Sequence, residues 1–129
     1  MVRYLNPEGM RKPGAHYSQA TEVQPGSRYL FVAGQTGRLP NDTIRVGIDD
    51  QAEQALRNLQ SVLEAAGMGL EDLVDTTAYL VNRDHTAALQ RAQEKVLGDI
   101  KPPNTVLCVA SLTHPEYLIE IHAVAAKKP

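Results

Sequence analysis

Two apolar runs near the end of the chain limit what it can fold into more than any other feature. Val106-Leu107-Cys108-Val109 and Leu118-Ile119-Glu120-Ile121-His122-Ala123-Val124-Ala125 have the composition of strands. Neither alternates cleanly between apolar and polar residues, as a strand in a sheet with one wet face does. Both faces of these strands therefore need cover. The second run also carries Glu120, a carboxylate that is costly to bury without a partner. A charge kept in such surroundings points to a site.

The 129 residues fit a single domain, residues 1–129, and a chain of that length removes roughly two thirds of its unfolded surface from water on folding. The formal charge of −2 supplies no electrostatic footprint for nucleic acid. Five tyrosines, one phenylalanine and no tryptophan leave little material for stacking bases. The one cysteine, Cys108, has no partner for an internal disulfide, and inside an apolar strand it reads as an inert core thiol rather than a nucleophile. The opening Met1-Val2-Arg3-Tyr4 lacks an apolar core of signal-peptide length. No apolar run approaches the roughly twenty residues that span a bilayer. The expectation is a cytoplasmic protein with no membrane and no nucleic-acid partner.

Arg3-Tyr4-Leu5 reads as a short strand stopped at Asn6-Pro7-Glu8-Gly9. An irregular stretch then delivers the chain to a strand over Tyr17-Ser18-Gln19-Ala20-Thr21-Glu22-Val23, and Pro25-Gly26-Ser27 makes a turn. Tyr29-Leu30-Phe31-Val32-Ala33 is the clearest strand of the first half, and it runs into Gly34-Gln35-Thr36-Gly37. Glycines there either bring main-chain N–H groups close to a ligand or simply supply turn geometry. Their spacing is not that of a phosphate-binding loop.

From Asp49 the period changes. Ala52, Ala55, Leu56, Leu59, Val62, Leu63 and Ala66 recur in steps of three and four, an amphipathic helix of about five turns. Asp49 or Asp50 can cap its start, and Gly67 stands where a left-handed cap ends a helix. Leu73 to Val81 reads as a long strand; Asp84 then caps a second helix with Ala88, Leu89, Ala92, Val96 and Leu97 on its apolar face, ended by Gly98. The order β-β-β-α-β-α-β-β describes an α+β fold, a mixed sheet of about six strands with two helices on one face. Self-association is the economical cover for the other face. It would place Glu120 at a subunit boundary.

Nearly the whole chain resembles the Rid family of reactive-intermediate deaminases, also called YjgF. The resemblance is carried by Tyr17-Ser18-Gln19-Ala20, Ala33-Gly34-Gln35, Gln51 to Leu59, Ala65-Ala66-Gly67, Val74-Asp75-Thr76-Thr77 and Ile119 to Ala125, in that order. It implies a chorismate-mutase-like fold of the bacillus type, a homotrimer with clefts between subunits, and cofactor-free hydrolysis of enamines and imines with release of ammonia. In the family's best-studied branch the strand before the last begins Pro-Ala-Arg-Ser, and its arginine holds the substrate carboxylate. Here Pro103, Asn104 and Thr105 stand at the matching positions, with Asn104 in place of the arginine; Leu89 replaces an asparagine and Val106 a cysteine. Asn104 offers a neutral amide where a guanidinium offers a fixed charge and a donor fork. Imines of the 2-aminoacrylate type, which carry a free carboxylate, are therefore expected to be poor substrates.

Each candidate residue has a plainer alternative. Glu120 would position water and act as base or acid, or else pair with a lysine or arginine across a subunit boundary. Tyr17 shapes the pocket or packs as an ordinary aromatic. Asn104 and Thr105 bind a polar ligand group or finish a strand ladder, and Gly34 offers main-chain donors or a turn. His16, beside Tyr17, faces the cleft or solvent; His122 shares a sheet face with Glu120, as residues two apart do. His85 and His114 read as surface residues. The four histidines show no metal-ligand spacing, so no metal is expected. Three functions remain open: an imine or enamine hydrolase, a non-catalytic metabolite-binding trimer, and a nuclease or protein-interaction role.

Overall fold

The computed structural model describes residues 2–14 and 16–129. β1 (Val2–Leu5) and β2 (Ala20–Val23) form an antiparallel pair with Arg3 opposite Glu22, whose side chains join at 3.0 Å. Four further strands form a second sheet in the order β3 (Arg28–Gln35), β6 (Ile119–Lys127), β4 (Leu73–Leu80), β5 (Asn104–Cys108). β5 runs parallel to β4 and the other pairings are antiparallel. The six strands are thus divided two and four, and the element order is the one read from the sequence. The small sheet is tied to the starts of β4 and β5, because Tyr4 Oη donates to the Leu73 carbonyl (3.0 Å) and the Ser18 N–H to the Pro102 carbonyl (3.3 Å).

The strand expected from Tyr17 begins only at Ala20. The Gln19 N–H donates to Asn6 Oδ1 (2.8 Å) and the Ser18 N–H to Pro102, so neither enters the β1–β2 ladder.

α1 (Ile48–Ala65) and α2 (Thr86–Leu97) supply the core on one side of the large sheet. The buried stripe of α1, with Ala52, Ala55, Leu56, Leu59 and Leu63, packs with Val32, Ala78, Leu80, Ile119, Ile121 and Ala123 of the strands. Burying each of the larger side chains contributes about 1.5–3 kcal/mol. α1 ends as expected: Gly67 takes a φ of 71°, its N–H bonds to the Glu64 carbonyl and the Met68 N–H to that of Leu63. A nested pair of bonds of this kind, the Met68 one enclosing the Gly67 one, closes a helix with a glycine in left-handed geometry.

The helix starts differ from the expectation. The residue before α1 is Gly47, and no side chain caps it. Asp49 instead accepts from Arg91 of α2 at 2.9 and 3.2 Å, which holds its carboxyl below the usual range. α2 likewise starts with no side-chain cap, at His85; a short 3-10 turn over Arg83–His85 precedes it and is capped by Asn82, not Asp84, its Oδ1 accepting from the Asp84 N–H (2.9 Å).

The opposite face of the sheet has no helix over it. Phe31 is 78% exposed, Tyr29 56% and Leu107 45%, with Tyr29 and Phe31 stacked at 6.3 Å between centroids. Cys108 is exposed too, not a core thiol, because β5 is the sheet's edge strand. Among the described residues, no helix is long and apolar enough to cross a membrane.

Candidate functional site

The candidate residues fall into two clefts on opposite sides of the large sheet. The first is central. β4 and β6 set Tyr79 directly beside Glu120 and Thr77 beside His122, all on the helix-free face. A cleft of about 460 Å³ opens there, lined by Glu120, His122 and Tyr79 together with Val109, Ser111 and Thr113 of the loop that follows β5. Tyr79 Oη and His122 Nε2 share a hydrogen bond of 3.2 Å whose donor depends on the imidazole tautomer. The half-buried Glu120 carboxylate makes no hydrogen bond or ion pair with the described residues.

Gly34 belongs with Glu120. The ladder between β3 and β6 slips between Val32 and Gln35, and this irregularity brings Gly34 under the Glu120 side chain. A Cβ at position 34 would sit 2.7 Å from Glu120 Cδ and 2.9 Å from Cγ, closer than real contacts allow. The absence of a side chain is what lets the carboxylate lie over the backbone.

Polar residues of α1 hold the segments that frame this cleft. Gln51 sits in the buried stripe, yet every polar atom of its amide is engaged. Its Nε2 donates to the Arg45 and Glu116 carbonyls, both 2.9 Å, and its Oε1 accepts from the Leu118 N–H at 2.8 Å. Asn58 Nδ2 donates to the Thr36 and Arg38 carbonyls at 2.9 and 2.8 Å. These bonds tie the chain after Gly34 and the chain before Glu120 to one helix. Arg38 in turn donates to Tyr117 Oη (2.7 Å), so its guanidinium is engaged in the same scaffold.

The second cleft lies at the edge, between α2 and β5. It has about 240 Å³ and is lined by Gly14, His16 and Tyr17 from the irregular N-terminal segment, Leu89 and Gln93 of α2, and Asn104 and Val106 of β5. Thr76 Oγ1 donates to the Pro103 carbonyl (2.7 Å) and also reaches Asn104 Oδ1 (3.0 Å), which fixes the asparagine at the cleft wall. His16 lies against Glu94 of α2, Nε2 to Oε1 3.5 Å.

Within one subunit, then, Glu120 and Gly34 are brought together, and so are His16, Tyr17 and Asn104, but the two groups line different clefts. Thr105 lines neither; it pairs with Thr77 and alternates with Asn104 toward the helix-free face. Tyr79, Ser111, Thr113 and Gln93 were not singled out in the sequence. Tyr79 is visible only once the register places it beside Glu120, and Gln93 only once its helix turn faces β5. Among the described residues, no group of three His, Cys, Asp or Glu side chains is placed to hold a metal.

The family model described as endoribonuclease L-PSP matches residues 9–127. A RutC family protein of Pyrococcus horikoshii is 34% identical over 130 residues, covering 99% of this chain and 100% of the relative. Human 2-iminobutanoate/2-iminopropanoate deaminase is 31% identical over 123 residues, with 92% and 87% covered. The crystal structure of a Rid-family protein of unknown function from Yersinia pestis superposes with a TM-score of 0.86 at 34% identity, covering 98% of each chain. Two helices with six strands in this arrangement form the α+β, chorismate-mutase-like fold.

Proposed function

The chain belongs to the endoribonuclease L-PSP family, the group also known as YjgF, RutC and Rid, and from that premise we propose that it is a cofactor-independent hydrolase of small imines or enamines. The observation that carries this reading is Glu120, a half-buried carboxylate with no cation beside it among the described residues, set over Gly34 and open to the central cleft. A carboxylate so placed accepts a proton from water as the water oxygen bonds to the imine carbon. The C=N bond becomes a carbinolamine. The proton then passes from Glu120 to nitrogen and the hydroxyl proton to the freed carboxylate as the C–N bond breaks, leaving a carbonyl product and ammonia. That two mammalian relatives carry the name 2-iminobutanoate/2-iminopropanoate deaminase supports the same reaction class.

The assembled site is a cleft between subunits of a homotrimer. Two features support this: Tyr29, Phe31 and Leu107 leave an apolar surface on the helix-free face, larger in character than a monomer keeps in water, and the residues suited to bind lie in a different cleft from the residue suited to catalyse. Docking one subunit's central cleft against its neighbour's edge cleft would unite them. A role on nucleic acid is disfavoured, because no lysine or arginine lines either cleft to meet a phosphate.

Glu120→Gln tests catalysis. It keeps shape and hydrogen bonding while abolishing the proton transfer, so ammonia release should fall about a hundredfold or more with ligand affinity within about tenfold. A variant that changes affinity alone would establish the metabolite-binding alternative. One that loses its assembly would make Glu120 an interface ion-pair member and move the reaction toward Tyr17, Asn104 and His16.

A further inference from the structure

The edge cleft carries polar groups of one chemical kind. Gln93 of α2 is only 7% exposed, lines this cleft, and its side-chain amide has no hydrogen-bond partner among the described residues. Its amide opens to the cleft, where an occupant would replace water as its hydrogen-bond partner. Asn104 is on the wall formed by β5, its Oδ1 turned to the Thr76 hydroxyl at 3.0 Å, so that its pair of N–H donors is what it presents to a ligand. Gln90 places a third carboxamide at the same cleft, and Leu89 and Val106 supply apolar wall.

Fixed positive charge is missing. Neither the edge cleft nor the central one is lined by lysine or arginine. The imidazole of His16 lies against the Glu94 carboxylate, which offsets any charge the ring carries. An anion entering this cleft would give up its water for neutral donors only, and in the assembled site it would also face Glu120.

We propose that the edge cleft binds a neutral carboxamide-type group, a carbonyl beside an N–H, and that the imine hydrolysed here is an amide rather than a free acid. This names the substrate class of the site described above and rests on that reading. Asn104 donates to the ligand carbonyl. The Gln93 amide, donor and acceptor together, meets the ligand N–H, and a small alkyl substituent lies against Leu89 and Val106. Hydrolysis of 2-iminopropanamide on these terms consumes one water and yields pyruvamide and ammonia.

Pyruvamide and pyruvate are stable, nearly isosteric probes that differ in this one respect. In ligand-observed NMR titrations, pyruvamide should bind at least about tenfold more tightly than pyruvate. Gln93→Leu should weaken pyruvamide about five- to tenfold and leave pyruvate unchanged, while Asn104→Arg should reverse the preference. Equal or tighter binding of pyruvate to the unsubstituted protein overturns the proposal, and so does failure to bind either probe. Ammonia release is followed in parallel from 2-iminopropanamide, formed in solution by dehydrochlorination of N-chloroalaninamide, and from 2-iminopropanoate, formed by an amino-acid oxidase acting on alanine with O2 as oxidant. Faster release from 2-iminopropanoate would reject the amide class and keep the hydrolase reading. Selective binding of pyruvamide with release from neither imine would keep the amide class and reject hydrolysis.

Discussion

Ile119 and Ile121 are 0% and 2% exposed on the helix-covered side of the sheet, whereas Glu120 and His122, each one residue further along the same strand, face the side that no helix covers. The two faces of β6 differ in what they can tolerate. On the covered face every side chain touches neighbours that have nowhere to go, and polar groups such as Gln51 persist only with all their hydrogen bonds made. On the other face a carboxylate, an imidazole and a phenol stand beside open space. The strand's period of two thus lets one segment hold the fold together with its odd-numbered residues and present titratable groups to a cleft with its even-numbered ones.

The comparison breaks most completely at the apolar patch. Phe31→Asp places a charge at a 78% exposed position, so it should leave the folded subunit intact while abolishing assembly, because a buried unpaired charge is not tolerated in an interface core. With the two clefts separated, ammonia release should vanish. Small-angle scattering and circular dichroism read the two effects separately. A variant that keeps its oligomeric state would show that the helix-free face is not the one covered.

Ile121→Ala makes the opposite kind of change one strand position from Glu120. It empties a site that is 2% exposed and should cost about 2–5 kcal/mol of stability in urea denaturation. At low temperature the folded fraction should retain its turnover. If the folded fraction lost its turnover at low temperature, the separation of roles along β6 would be wrong.

Gly34→Ala acts on the geometry alone. Its Cβ would meet Glu120 Cδ and Cγ at 2.7 and 2.9 Å, so the carboxylate must swing away. A displacement of about 1 Å at a reacting group costs up to about a hundredfold in rate. Turnover should fall ten- to hundredfold while the unfolding midpoint moves little, since Gly34 is exposed. Unchanged turnover would show that the carboxylate need not lie over this backbone.

The fold was legible because its signals are local. The steps of three and four in α1, the glycines after both helices and the composition of β3, β4 and β6 each report on a few consecutive residues. The helix caps misled for the same reason: Asp49 and Asp84 have the right chemistry at nearly the right place, but Asp49 is drawn to Arg91 and the Asp84 N–H to Asn82. The site was legible only as a set of residues. Nothing in the order of the chain says that Tyr17 and Asn104 share one cleft and Glu120 and Gly34 another, since that partition depends on β5 pairing with β4 and on the slip in β3. Cys108 is exposed although its run is apolar, because composition does not distinguish an edge strand from an interior one and β5 is an edge.

Tyr4 belongs to neither face and sets the scale for a change that should touch neither chemistry nor assembly. Its Oη donates to the Leu73 carbonyl at 3.0 Å, holding the two-stranded sheet to the start of β4. Burial, with the charges of Asp72 and then Glu71 adding to it, pushes the phenol up to about 12. Only the neutral phenol can donate this bond. Because the folded value lies above the unfolded one near 10, the contribution of Tyr4 is fully present below about pH 10 and is lost as pH rises from there toward 12. Tyr4→Phe should therefore cost about 1 kcal/mol at neutral pH, and the gap between variant and parent in urea denaturation should close between pH 9 and about 12. Ammonia release at neutral pH should be unchanged. A gap that stays constant through that range would assign the stabilisation to packing of the ring instead of to the hydrogen bond, and the tether between the two sheets would then be apolar.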